Sequence, residues 1–133
     1  MNNIQRLFQS SETSKEFARG YLDYLSKLLS ALDVQEIARF VDILFDARNR
    51  DAGIFFIGNG GSAATASHFA NDIGIGSRSW DRPFRVSALT DNIAILTAIA
   101  NDYGYSDTFL LQLKNQARPG DVLVAISASG NSE

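Results

Sequence analysis

The feature that most constrains this chain is a short apolar run, Ile54-Phe55-Phe56-Ile57, which ends abruptly in Gly58-Asn59-Gly60-Gly61-Ser62. An unbroken apolar run of this length, stopped by glycine, is the pattern of a strand buried on both faces. Such strands belong to parallel sheets, whose crossover connections lay helices over both faces. The rest of the chain supplies the partners. Further strands are predicted over residues 84–89 and 122–126, the latter after the turn Pro119-Gly120-Asp121 and expected to be buried like the first. Between them, residues 62–73 and 91–101 read as helices, the first rich in alanine and the second with Ile93, Leu96, Thr97 and Ala100 inward. Ser106 is the expected cap of another helix, with Phe109, Leu110, Leu113 and Ala117 as its apolar side. Two helices come earlier. Residues 14–32 carry Phe17, Tyr21, Leu25, Leu28 and Leu32 at helical spacing. A second begins at Asp33, where Glu36 completes the pattern of a capping box, and its apolar face is Ile37, Phe40, Val41 and Leu44. Strands alternating with helices imply parallel pairing and right-handed crossovers, so the fold class is α/β.

Composition narrows the function. The chain has 133 residues, 45% hydrophobic and 20% charged, which suits one globular domain and excludes disordered or fibrous classes. A net charge of -3 gives no general attraction to nucleic acid or to an anionic membrane, so any anion must be held by local geometry. There is no cysteine, hence no disulfide, thiolate metal site or cysteine nucleophile. Neither a signal peptide nor an apolar stretch of the ~20 residues that span a bilayer is present, and a cytoplasmic location is expected. Three predicted strands make a thin open sheet, and Glu133 falls in a polar turn directly after an apolar run. Further strands are therefore expected to complete the fold.

The loop at residues 58–62 has the chemistry of an anion cradle. Glycines permit positive φ and close backbone approach, the helix that follows offers N–H groups and a partial positive charge, and Asn59 and Ser62 add donors. It lacks the Gly-Lys-Ser/Thr of a P-loop and the spacing of the dinucleotide fingerprint, so no nucleotide cofactor is expected. The alternative is a tight turn without a ligand. A second loop, Ser127-Ala128-Ser129-Gly130-Asn131-Ser132, follows the last strand. Small hydroxyl residues there can surround phosphate oxygens without adding charge, and ligands of open α/β sheets bind at the carboxyl ends of strands. On adjacent strands the two loops would share one pocket.

His68 is the sole histidine, and Asp72 lies four residues on, sharing one helical face. The spacing suits a pair of metal ligands, a base oriented by its neighbour, or a plain surface contact. Asn101-Asp102, at a helix end before Gly104, is either a site pair or a polar helix terminus. Asp91-Asn92 reads as a helix start, and residues 78–83 as a surface connection.

Taken in order, Gly58-Asn59-Gly60-Gly61-Ser62-Ala63-Ala64, His68-Phe69-Ala70, the stretch from Leu96 through Asn101-Asp102 to Gly104, Arg118-Pro119-Gly120-Asp121 and the loop from Ser127 to Ser132 resemble the sugar isomerase (SIS) domain family, in its phosphoheptose isomerase branch. The resemblance implies a three-layer α/β/α, flavodoxin-like, doubly wound parallel sheet preceded by an N-terminal helix pair. Residues 1–133 would be one SIS domain incomplete at its C-terminus, with helices over 1–50 and the first part of the sheet over 51–133. It implies a homotetramer that interconverts sedoheptulose 7-phosphate and glycero-manno-heptose 7-phosphate, with no direct nucleic-acid or membrane partner. Asn59, Gly60, Gly61, Ser62, Asn101 and Asp102 would hold the sugar, and Ser127, Ala128, Ser129 and Ser132 the phosphate. His68 and Asp72 would be zinc ligands, with Asp72 also the base that moves a proton between C1 and C2. The family places a glutamate where this chain has Asp72, which is one methylene shorter. A displacement of about an ångström can cost ~10²-fold in rate. Some relatives keep the loops without the activity, so a non-catalytic sugar-phosphate sensor or protein-binding adaptor is the alternative.

Overall fold

The structure, a computed structural model, describes residues 2–130. The chain divides into two compact units, residues 1–39 and 40–133.

The first unit opens with a helix that sequence periodicity misses, α1 (Asn3–Ser10). Its eight residues are too few for a convincing repeat, but a capping box starts it: Asn2 Oδ1 accepts the Gln5 amide at 2.8 Å, and Gln5 Oε1 accepts that of Asn2 at 3.0 Å. Helix α2 (Ser14–Ser30) begins on Thr13, whose hydroxyl oxygen accepts the Glu16 amide. Phe8 meets Phe17 edge-on, with centroids 5.6 Å apart, joining the two helices. Of the apolar row expected on this helix, Leu25 and Leu28 are 39% and 48% exposed, and Leu32 falls just beyond the helix end and is 54% exposed. At the start of α3 (Val34–Asn49), Asp33 accepts the Gln35 amide, while Glu36 turns to Arg39 instead of closing the expected box.

In the second unit β1 (Gly53–Gly58) is central, with β2 (Arg85–Ala88) and β3 (Val122–Ile126) paired parallel on either side in the order β2-β1-β3. Ile54 and Phe56 are fully buried on the face covered by Leu44 and Ala47 of α3 and Ala66 of α4 (Gly61–Asn71). Burying such side chains contributes about 1.5–3 kcal/mol each. Phe69 stacks on Phe56 at 5.5 Å and takes the edge of Phe40. The opposite face carries Ile57 and Ala125, which line a cleft together with Phe109 of α6 (Thr108–Gln116), while Leu123 and Ala125 of β3 stay exposed on that side. Both faces of the central strand are thus covered, as the α/β pattern requires, while one face of β3 remains open.

The path of the chain locates the binding crevice. From β1 it moves outward through α4 to β2. It then returns past β1, through α5 (Ile93–Asp102) and α6, to β3. That reversal makes the gap between the carboxyl ends of β1 and β3 the topological switch point, where open α/β sheets bind ligands.

Some element boundaries differ from expectation. Ser106 does not cap α6; it lies inside a short 3₁₀ turn, Tyr105–Asp107, because Gly104 at φ +119° folds the chain there and α6 starts at Thr108. Ala117 falls just beyond that helix in an extended conformation. Helix α4 stops at Asn71 and passes into a π-helical turn, Asp72–Gly76. Asn92 caps α5 by accepting the Ile95 amide at 3.1 Å, as the helix-start reading of Asp91-Asn92 anticipates. Residues 78–83 form a connection tied back to α3: Arg48 donates to Ser79 and to the Arg82 carbonyl, and Arg82 to Asn49.

Candidate functional site

The β1 loop is shaped by close packing. A Cβ on Gly58 would stand 2.7 Å from the Ser62 carbonyl oxygen, so only glycine lets α4 start directly against the strand end. Gly60 turns the chain at φ +56°, and the first turn closes with the Ser62 amide on the Asn59 carbonyl at 3.0 Å. Asn59 and Ser62 therefore stand at the junction of a strand end and a helix N-terminus.

The β3 loop lies beside it. Gly58 and Ile126 are paired across the parallel ladder, so both loops leave the sheet at the same level. Ser127 Oγ accepts the Gly130 amide at 3.0 Å, and Gly130 takes φ +67°, which folds residues 127–130 into a compact turn. The Ser127 hydroxyl hydrogen is not consumed by that bond, so it can be donated to an anion. Ser132 lies outside the described residues. A cleft of about 230 Å³ opens between the loops, lined by Asn59, Phe109 and Ser127 together with Gly58, Ile57 and Ile126.

A third element is tied to the β1 loop, although Asn101, Asp102 and Tyr105 are not among the residues that line the cleft. Helix α5 ends in Asn101 and Asp102, whose side chains are hydrogen-bonded at 2.8 Å. Gly104 then reverses the chain, and the Tyr105 hydroxyl donates to Asn59 Oδ1 at 2.7 Å. The helix end with Asn101 and Asp102 is thereby tethered, three residues on, to the β1 loop. Phe109, read from the sequence only as part of a helix's apolar side, lines the cleft, and Tyr105, which the sequence reading did not single out, holds Asn59. The available signal was Tyr105 directly after Gly104, close behind the Asn101-Asp102 motif.

His68 and Asp72 form the pair their spacing predicts, with Nε2 3.0 Å from Oδ2. The side chains are 77% and 57% exposed, and neither lines the cleft. Ser67 holds this part of α4 against the end of β2: its hydroxyl donates to Asp91 and lies 3.2 Å from that of Thr90. An imidazole nitrogen and a carboxylate are donors that zinc accepts, but zinc sites take three or four protein ligands. Among the described residues no group of three or more His, Cys, Asp or Glu side chains could hold a metal, so this pair fits zinc as a partial donor set. No helix among the described residues is long and apolar enough to cross a membrane.

Comparison with known proteins agrees with this geometry. Residues 17–133 match the family described as SIS domain. The chain is 42% identical over 124 residues to the phosphoheptose isomerase of Akkermansia muciniphila, covering 92% of this chain and 64% of that protein. It is 41% identical over 125 residues to the phosphoheptose isomerase of Mycobacterium tuberculosis, covering 92% and 63%. Among solved structures, phosphoheptose isomerase GmhA from Neisseria gonorrhoeae superposes with a TM-score of 0.76 at 33% identity, over 89% of this chain and 62% of that one. A phosphoheptose isomerase from Francisella tularensis gives 0.79 at 27% identity, over 90% and 64%. The chain spans a little under two thirds of the length of these relatives. The match across residues 17–133 and the parallel sheet with its paired strand-end loops establish that this chain belongs to the SIS domain family.

Proposed function

We propose that this chain supplies the sugar-phosphate-binding part of a phosphoheptose isomerase, which interconverts sedoheptulose 7-phosphate and glycero-manno-heptose 7-phosphate. The observation that carries this reading is the shared level of the two loops, set by the Gly58–Ile126 pairing, around a cleft at the switch point of the sheet. The names and extent of the relatives support it.

In this reading Ser127, Ser129 and Ser132 hold the phosphate with hydroxyl donors, the Ala128 backbone passes between them, and the start of α4 adds its partial positive charge. Asn59, Gly60, Gly61 and Ser62 bind the sugar chain with Asn101 and Asp102. Asp72 is the base that carries a proton between C1 and C2, and His68 orients its carboxylate through the 3.0 Å contact. Zinc held by His68, Asp72 and further ligands would polarise the carbonyl and stabilise the negative charge that develops on its oxygen. The exposed row Leu25, Leu28 and Leu32 supports a homo-oligomer, a tetramer in our reading, with these helices at the subunit contacts. The protein acts in the cytoplasm and needs neither nucleic acid nor a membrane.

A second reading has its own support. His68 and Asp72 are exposed and stand off the cleft, which also suits a SIS domain that binds a sugar phosphate without chemistry, as a sensor or adaptor. Phosphorus NMR of sedoheptulose 7-phosphate with the full-length protein, with and without zinc, separates the two. A new aldose phosphate resonance establishes the isomerase. A broadened substrate signal without product overturns it in favour of the binding module.

A further inference from the structure

We propose that Tyr105 is a positioning residue that fixes the orientation of the Asn59 amide, so that its N–H donors are left to face the ligand. The identity of the ligand rests on the phosphoheptose isomerase reading; the contact itself does not. An asparagine side chain has an acceptor end and a donor end. Asn59 sits between Gly58 and Gly60 on an exposed loop, where its neighbours have no side chains to restrict it. The Tyr105 hydroxyl, donating to Oδ1 at 2.7 Å, removes that freedom. The Nδ2 hydrogens are left for a partner in the cleft that Asn59 lines. Phosphate and carbonyl oxygens only accept hydrogen bonds, so an amide held in this sense suits the oxygen-rich end of a sugar phosphate.

The tyrosine is itself held in place. Gly104 at φ +119° turns the chain, and the buried Thr108 donates its hydroxyl to the Tyr105 carbonyl at 2.8 Å. The phenol is thus delivered from a fixed backbone, although Tyr105 as a whole is 63% exposed. A ring that exposed adds little to the core. Its removal should alter ligand binding much more than folding.

The test is a double-mutant cycle on the full-length protein with Tyr105→Phe, Asn59→Ala and the pair, read as the dissociation constant for sedoheptulose 7-phosphate. Loss of one orienting hydrogen bond should weaken binding about five- to tenfold in Tyr105→Phe. In the Asn59→Ala background the same change should have no further effect, because the amide it orients is gone. In turnover the loss should fall on KM and leave kcat nearly unchanged. Wild-type affinity in Tyr105→Phe, or its full effect persisting without Asn59, overturns the inference. A ligand-free measurement decides the same point. The Asn59 side-chain NH₂ signals in ¹⁵N-labelled protein, identified by their loss in Asn59→Ala, should shift in Tyr105→Phe, and unshifted signals overturn the proposal. If wild-type protein binds the sugar without converting it, or does not bind it, the isomerase reading fails while these signals still decide the role of Tyr105.

Discussion

Asp121 Oδ1 accepts the backbone amide of Gly53 at 2.7 Å, so the turn ahead of β3 holds the first residue of β1. The other oxygen accepts the Arg118 amide, also at 2.7 Å, which closes the turn on itself. One carboxylate therefore aligns the starts of two neighbouring strands, and through their register it sets the level at which both ligand loops emerge. Hydrogen bonds to a charged acceptor are among the stronger ones, and Asp121→Ala should destabilise the fold by about 2 kcal/mol. Urea unfolding of the two proteins at neutral pH measures this.

The same contacts give Asp121 a pH signature. The Arg118 amide holds its carboxyl below the ordinary carboxylate range; the Gly53 amide and the charges of Arg85 and Arg118 act in the same sense, and partial burial opposes them. A folded-state pKa below the unfolded value means that the stabilisation is complete above the unfolded pKa and is lost as pH falls through the folded one. Wild-type stability should therefore drop between about pH 5 and pH 3 by more than that of Asp121→Asn, which has no charge to lose. Parallel slopes for the two proteins in that window would show that Asp121 does not contribute.

Two neighbouring glycines should respond differently to alanine. At Gly58 the added methyl meets the Ser62 backbone at 2.7 Å, and backbone cannot step aside as a flexible side chain can. Gly58→Ala should cost about 1–3 kcal/mol and displace the start of α4. At Gly61 the methyl meets nothing within 4 Å and φ is not positive, so the fold should tolerate it. Any defect of Gly61→Ala should appear as weaker binding of the sugar phosphate. Calorimetric Tm together with titration of the ligand separates the two effects.

The His68–Asp72 pair permits a clean separation of chemistry from stability. An exposed i,i+4 contact contributes only about 0.3–0.5 kcal/mol, so Asp72→Asn should leave Tm nearly unchanged. If Asp72 is the proton-transferring base, the same change should lower kcat by ~10²-fold or more, with KM little affected. Asp72→Glu restores the longer arm that the family carries and should raise turnover. Undiminished turnover in Asp72→Asn would remove Asp72 from the chemistry.

The sheet was legible because its signal is local. Ile54 to Ile57 is apolar throughout since β1 is the central strand, covered on both faces; β3 was expected to be buried likewise from its own apolar run, but it is an edge strand with Leu123 47% exposed. The cleft was half legible. Gly58 to Ser62 and Ser127 to Gly130 announce themselves by composition, but their alignment depends on the Gly58–Ile126 register, which no local pattern encodes. Tyr105 was not found because its partner Asn59 is 46 residues away and the turn that brings it there depends on the positive φ of Gly104. Helix α1 escaped because its eight residues carry a single apolar repeat, Ile4, Leu7 and Phe8, too short to stand out, and its start is set by capping between Asn2 and Gln5.

Ser127 orders its loop with the oxygen of its hydroxyl and leaves the hydrogen free to be donated. Its oxygen accepts the Gly130 amide at 3.0 Å, and its hydrogen is available to a phosphate oxygen. Ser127→Ala removes both, leaving Gly130 at φ +67° without its tie and the cleft with one donor fewer. Hydrogen bonds to a charged group contribute about 1.5–3 kcal/mol, so phosphate-ester affinity should fall roughly ten- to hundredfold. Ser127→Thr keeps the hydroxyl and should recover most of it. Titration with sedoheptulose 7-phosphate followed by phosphorus NMR reads the loss directly, and Tm should change little because the turn is exposed. Equal affinity of Ser127→Ala and wild type would mean that the phosphate does not sit at the end of β3, and the ligand would then have to be sought along the α4 side of the β1 loop.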